Sequence, residues 1–133
     1  MNTKVLLGTS AGLMAAGGLV LQLAPHEVLA YASYPATGLA PVLVQVLGAL
    51  YLGFALPNWM SKGVAMSGIY TRPLAMGNGL HFLMGAFTGL HYAQRAPVSA
   101  GAWGWTAGYA LLAGLFGAVL FVSPHREAMP ARG

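Results

Sequence analysis

Apolar residues fill four long stretches of the chain, and polar or helix-breaking residues separate them. The stretches run from about Val5 to Ala24, Val42 to Trp59, Leu74 to Gln94 and Ala102 to Val122. Each is close to the roughly 20 residues a helix needs to cross the bilayer core. Their borders carry Pro25, Pro41, Arg72-Pro73, Arg95-Ala96-Pro97 and Pro124-His125-Arg126. Proline at a helix start or just past its end sacrifices no hydrogen bond, because the N–H there has no intrahelical partner. The pattern predicts an all-α, integral-membrane antiparallel four-helix bundle. No linker or internal repeat divides the chain, so residues 1–133 read as a single four-span transmembrane domain.

The first stretch is too long for the 7–15-residue apolar region of a secretory signal, and it reads as a retained span. Between spans one and two, Pro25 to Tyr31 reads as a short helix on the outer surface. Its Glu27 falls in the first turn, where the helix dipole favours an anion. The distribution of Lys and Arg orients the whole. Four spans place Lys4, Lys62, Arg72, Arg126 and Arg132 on one side and Arg95 on the other. By the positive-inside rule both termini are cytoplasmic. Trp59 and Tyr70 then belong to the cytoplasmic interface. Tyr31, Tyr34, Tyr92, Trp103 and Trp105 belong to the outer one.

Composition agrees with a lipid-facing surface. The chain is 57% hydrophobic and 6% charged, against about 25% charged in a soluble domain. The formal charge of +4 is scattered, so no nucleic-acid footprint exists. Cysteine is absent, which removes disulfides, thiolate metal sites and a Cys nucleophile. Lipid tails are as apolar as leucine, so helices in a membrane associate through close contact of small residues. Gly8/Gly12, Gly85/Gly89 and Gly104/Gly108 have small-xxx-small spacing, and span two carries Gly48, Ala49 and Gly53.

Polar residues inside the spans are few enough to name. On a helical wheel Asn78, His81, Gly85, Thr88, Gly89 and Tyr92 fall within an arc of about 100°, opposite Met76, Leu80, Leu83, Phe87 and Leu90. The first arc is expected to face the bundle interior, since an unpaired polar group in hydrocarbon is costly. With Gln45 and Asn58 of span two it defines a candidate ligand pocket of Gln45, Asn58, Asn78, His81, Thr88 and Tyr92. Lys62 and Arg72 are candidates for gripping a lipid headgroup or another anion at the cytoplasmic face. His91 reads as an interfacial histidine. Pro57 either ends span two or, if the helix continues, frees the carbonyl of Gly53.

Much chemistry is excluded. Glu27 and Glu127 are the only acids and lie outside the spans, so paired-carboxylate hydrolysis is ruled out. The histidines show no metal-ligand spacing and no zinc site is expected. His81 and His91 share one helix, ten residues apart, so a single chain does not easily clamp a haem between two histidines. A haem or chlorin with His81 as sole axial ligand is the one cofactor arrangement they allow, and no cofactor is otherwise indicated.

The segments "GALYLGFALPNWMSKG" and "GIYTRPLAMGNGLHFLMGAF", from Gly48 to Phe87, resemble a group of small bacterial four-span membrane proteins. In length and span order the chain is similar to the DoxX-like four-helix membrane proteins. The resemblance implies a bacterial inner-membrane bundle and supplies no catalytic residues. Three functions follow as expectations. The first is a non-catalytic membrane protein acting by helix association, as an accessory subunit of a larger complex or a homo-oligomer, with lipid and partner subunits around it. The second is a small-molecule or lipid binder or transporter using the pocket around His81. The third is a membrane enzyme with His81 as base and Arg72 as anion holder.

Overall fold

The computed structural model describes residues 3–63, 71–94 and 100–122. Tyr70, Arg95, Pro124, His125, Arg126, Glu127 and Arg132 lie outside the described residues, so the structural account concerns the rest. Five helices follow in order: α1 (Thr3–Leu23), α2 (Pro25–Tyr31), α3 (Ala40–Ser61), α4 (Thr71–Ala93) and α5 (Ala100–Val122). The chain divides into two compact units. The first holds α1 to α3, with α1 packed along α3 and the short α2 against both. The second holds α4 packed on α5.

The four long helices coincide with the four apolar stretches, each beginning two or three residues earlier than the apolar pattern alone suggested. The first turns explain the difference. Proline occupies the first turn of α2 and α3, and α4 takes Arg72 and Pro73 into its own first turn. All three prolines sit where the N–H is unpaired in any helix. α3 continues through Pro57 to Ser61. The bond to the Gly53 carbonyl is lost, but Gly53 is exposed and a Cβ there would meet nothing within 4 Å. The distortion therefore falls on the open side of α3, away from its packed seam.

α2 forms where the short surface helix was expected, with Glu27 in its first turn. Its end is locked by backbone geometry. Tyr34 N–H donates to the Leu29 carbonyl at 2.9 Å and Ser33 N–H to that of Ala30 at 3.0 Å. Ser33 takes the left-handed conformation (φ 54°) that this Schellman arrangement requires.

Three helices, α1, α3 and α5, are long and apolar enough to cross a membrane. α4 has the length, at 23 residues, but Thr71, Arg72, Asn78, His81, Thr88 and His91 dilute its apolar character. Its expected lipid-like face is nonetheless exposed in full: Met76, Leu80, Leu83, Phe87 and Leu90. The rings expected at span ends, Tyr31, Tyr34, Trp59, Tyr92, Trp103 and Trp105, are exposed too.

Buried positions recur at alternating spacings of three and four. They include Leu7, Ala11, Met14 and Gly18 on α1, where Leu6 and Ser10 are buried beside them, and Gly48, Tyr51, Ala55 and Asn58 on α3. On α4 they are Thr71, Ala75, Asn78 and Phe82. This is the seam of a coiled-coil-like pair. On α1 and α3 the seam closes until the backbones almost touch. A Cβ on Gly48 would lie 2.8 Å from the Gly18 carbonyl oxygen and 2.9 Å from the Gln22 nitrogen. In the other unit a Cβ on Gly85 would run into the Tyr109 ring, and one on Gly89 into Thr106. Of the small-xxx-small pairs, Gly85/Gly89 thus serves the packing. Gly8/Gly12 and Gly104/Gly108 meet nothing within 4 Å. The α1–α3 crossing uses Gly18 instead.

Replacing Gly48 by Val should destabilise the protein by about 1–3 kcal/mol or more, because rigid backbone stands in the way. Gly8→Ala and Gly12→Ala should be neutral or stabilising by up to about 1 kcal/mol. Reversible unfolding in bicelles measures both. Equal losses at Gly8 and Gly48 would show that the Gly18–Gly48 approach does not hold the hairpin.

Candidate functional site

Buried polar side chains concentrate on the packed seams. Ser10, Asn58, Thr71 and Asn78 are all at most 2% exposed. In the α1–α3 hairpin, Ser10 hydroxyl donates to the Leu7 carbonyl of its own helix at 3.1 Å. Its oxygen then accepts from the Asn58 amide at 3.3 Å. Asn58 Nδ2 also approaches Met14 Sδ at 3.7 Å. One asparagine on α3 thereby grips two buried side chains one turn apart on α1, which sets the register of the pair. Gln45, near the other end of α3, donates through Nε2 to the Gln22 carbonyl at 3.3 Å. That carbonyl lies in the last turn of α1, where acceptors lack intrahelical partners. Gln45 and Asn58 are about 20 Å apart along the α3 axis at 1.5 Å per residue.

In the α4–α5 hairpin the polar arc separates into three parts. Asn78 is fully buried and its amide donates to the Leu74 carbonyl at 2.9 Å. His81 is half-buried at the edge of the packed face. Its ring lies 5.2 Å from Phe82 and 5.7 Å from Tyr109, centroid to centroid. Thr88 and Tyr92 are exposed. Thr88 manages this by donating its hydroxyl to the Met84 carbonyl at 2.9 Å. A threonine that bonds back one turn needs no partner on another helix.

Around His81 runs an aromatic column that hydropathy could not reveal. Trp105 stacks on Tyr109 at 4.6 Å, and Tyr109 meets Phe82 edge-on at 5.3 Å. Phe82 in turn stacks on Phe116 at 5.8 Å. Such pairs stabilise by about 0.5–1.5 kcal/mol beyond the area they bury. The relevant sequence signal is weak: Trp105 and Tyr109 are four residues apart on α5, but Phe82, the ring that links Tyr109 to Phe116, comes from α4. Ser10, Met14 and Tyr109 join the site-forming residues for the same reason. Each acquires its role from a residue on a different helix.

At the end of α3, Lys62 Nζ sits 2.8 Å from the centroid of the Trp59 ring. A cation is favoured there both by the ring and by the negative end of the helix. Arg72 is exposed in the first turn of α4, where the dipole disfavours a cation. Its presence is therefore not explained by helix stability. Among the described residues, no three His, Cys, Asp or Glu side chains gather as a metal site.

The sequence-selected residues thus fall into two sets. Gln45, Asn58 and Lys62 belong to the α1–α3 unit; Arg72, Asn78, His81, Thr88 and Tyr92 belong to the α4–α5 unit. Within the first, hydrogen bonding tightens helix packing. Within the second, His81 adjoins a wall of rings and Asn78 is sealed in the seam about one turn before it. Comparison with protein-family models, with curated proteins and with solved structures returns no match for this chain.

A double-mutant cycle of Ser10→Ala and Asn58→Leu should give a coupling of about 0.5–1.5 kcal/mol, the range of interhelical hydrogen bonds in membranes. Unfolding in bicelles reads it. Strict additivity would mean that the amide does not set the register.

Proposed function

We propose that the protein is a non-catalytic integral membrane protein that works by helix association, as an accessory subunit of a larger complex or as a homo-oligomer. The observation that carries this reading is the state of α5. Gly104 and Gly108 are exposed, and a Cβ on either would meet nothing within 4 Å. A helix entering hydrocarbon gains little from bare glycine unless another backbone comes close to it. Leu111, one turn on and 64% exposed, extends the same face with an apolar anchor.

In this reading α4 crosses the membrane with the other three long helices, and the two hairpins close into an antiparallel four-helix bundle. Both termini lie in the cytoplasm of a bacterium, with the bundle in its inner membrane. Lys4, Lys62 and Arg72 favour that orientation by the positive-inside rule. The lone acid of the described residues, Glu27, is exposed on α2. No carboxylate accompanies His81 within its hairpin, so general acid–base chemistry has little to work with.

Gly104→Leu and Gly108→Leu should each abolish co-purification of the partner subunit, or lower the oligomer mass, in native mass spectrometry from gentle detergent. His81→Leu should leave the assembly intact. Loss of assembly with His81→Leu and none with the glycine variants would overturn the reading in favour of a site at His81.

The absence of cysteine makes topology directly accessible. A single cysteine at Ala32 should react with an impermeant maleimide added outside intact cells. One at Gly63 should react only after the membrane is opened. The reverse pattern would invert the orientation.

A further inference from the structure

A groove of about 400 Å³ lies between α1 and α3, toward the end of their hairpin where α1 begins and α3 ends. Ala11, Gly12 and Ala15 line it from α1, and Leu52, Leu56 and Trp59 are among its walls on α3. A Cβ on Gly12 would meet nothing within 4 Å, nor would one on Gly8, the next turn toward that end. Beyond Ala15 and Leu52 the lining stops, and the pair is shut by the approach of Gly18 to Gly48.

The open end of the groove is cationic. Trp59 is a wall of the groove, and the Lys62 ammonium is held over its ring. Lys62 keeps helical backbone angles (φ −61°, ψ −20°), and at 100° per residue it lies about 20° from Ala55, another lining residue. On α1, Lys4 falls within the arc bounded by Ala11 and Gly12. The register brings the two lysines level. Ser10 meets Asn58, and from that pair Lys4 is about 9 Å and Lys62 about 6 Å further along the hairpin at 1.5 Å per residue. Each helix thus continues its groove-lining face into a lysine at one height.

Charge selects the occupant. Among the described residues the one acid, Glu27, is on α2 at the opposite end. In the sequence the only other acid, Glu127, adjoins Arg126. A second copy in the same orientation would bring its own Lys4 and Lys62 to this height, and the described part of the α4–α5 hairpin has no carboxylate to offer. An anionic lipid headgroup answers both lysines, and its acyl chain answers the apolar walls. Length agrees: Leu52 to Trp59 spans about 10 Å, inside the roughly 15 Å of one leaflet. The positive-inside rule assigns this end to the cytoplasm, whose leaflet carries anionic lipid. We infer that the α1–α3 groove seats one acyl chain of an anionic phospholipid whose headgroup is held between Lys4 and Lys62. This goes beyond the association reading, which concerns a face of α5.

The test places the full chain in nanodiscs of equal phosphatidylcholine and phosphatidylglycerol with matched acyl chains. The protein is then re-isolated in mild detergent and its retained lipid measured by mass spectrometry. The wild-type protein should be enriched in phosphatidylglycerol. Lys4→Gln combined with Lys62→Gln should lower that enrichment about tenfold, equivalent to about 1.4 kcal/mol, and the corresponding double Lys→Arg variant should keep it. Gly12→Leu enters open space, so it should fold, and it should lower the retained phosphatidylglycerol although both lysines remain. Equal retention of the two lipids by the wild type would overturn the assignment. Loss of enrichment in the double Gln variant with none in Gly12→Leu would overturn it in favour of attraction by surface charge alone. Unchanged lipid with a dissociated oligomer in Gly12→Leu would overturn it in favour of a second copy. Gly104→Leu should keep the phosphatidylglycerol while losing the partner, which separates failure of this site from failure of the association reading.

Discussion

The close approach of two backbones, Gly18 against Gly48, is the constraint on which the α1–α3 hairpin depends. In water two apolar helices are driven together by the surface they remove from solvent. Between lipid tails that drive vanishes, and what remains is contact density and hydrogen bonding. Glycine allows both. Without a Cβ at either position the helices come near enough for Gln45 to reach a carbonyl of α1 and for Asn58 to reach Ser10. A methyl at Gly48 would separate the backbones and lengthen both bonds.

The α4–α5 hairpin solves the same problem differently. Here glycines on one helix receive large side chains from the other: Tyr109 over Gly85, Thr106 over Gly89, and Phe116 with Leu120 over Gly79. The aromatic column from Trp105 to Phe116 is the result. One hairpin is joined by backbone proximity and amide hydrogen bonds, the other by rings set into glycine notches. The second mode leaves α5 with bare glycines elsewhere. That surplus is the basis of the proposed association face.

The fold was legible to different depths at different places. Helix positions followed from apolar runs bordered by Pro25, Pro41 and Pro73, because these signals are local. The outward face of α4 was legible for the same reason, since one period of 3.6 residues orders Met76, Leu80, Leu83, Phe87 and Leu90. The polar arc was legible only in part. A wheel treats Asn78, Thr88 and Tyr92 as equivalent claimants to the interior. It omits that Thr88 can satisfy its hydroxyl on Met84 and remain outside, whereas Asn78 is sealed in the seam. The small-xxx-small spacing identified Gly85/Gly89 but did not distinguish it from Gly8/Gly12, where an added Cβ would meet nothing within 4 Å.

The sequence by itself determined where helices form, which faces are apolar, and which chemistry is missing. These depend on residues within one or two turns of each other, where backbone hydrogen bonding and side-chain period leave few alternatives. Only the tertiary structure decided which glycines touch, that Asn58 pairs with Ser10, and that Tyr109 stands between His81 and Trp105. Those pairings join helices across long separations in the chain and depend on how far each helix is rotated about its own axis. A rotation of a few tens of degrees leaves every local preference satisfied and changes every partner.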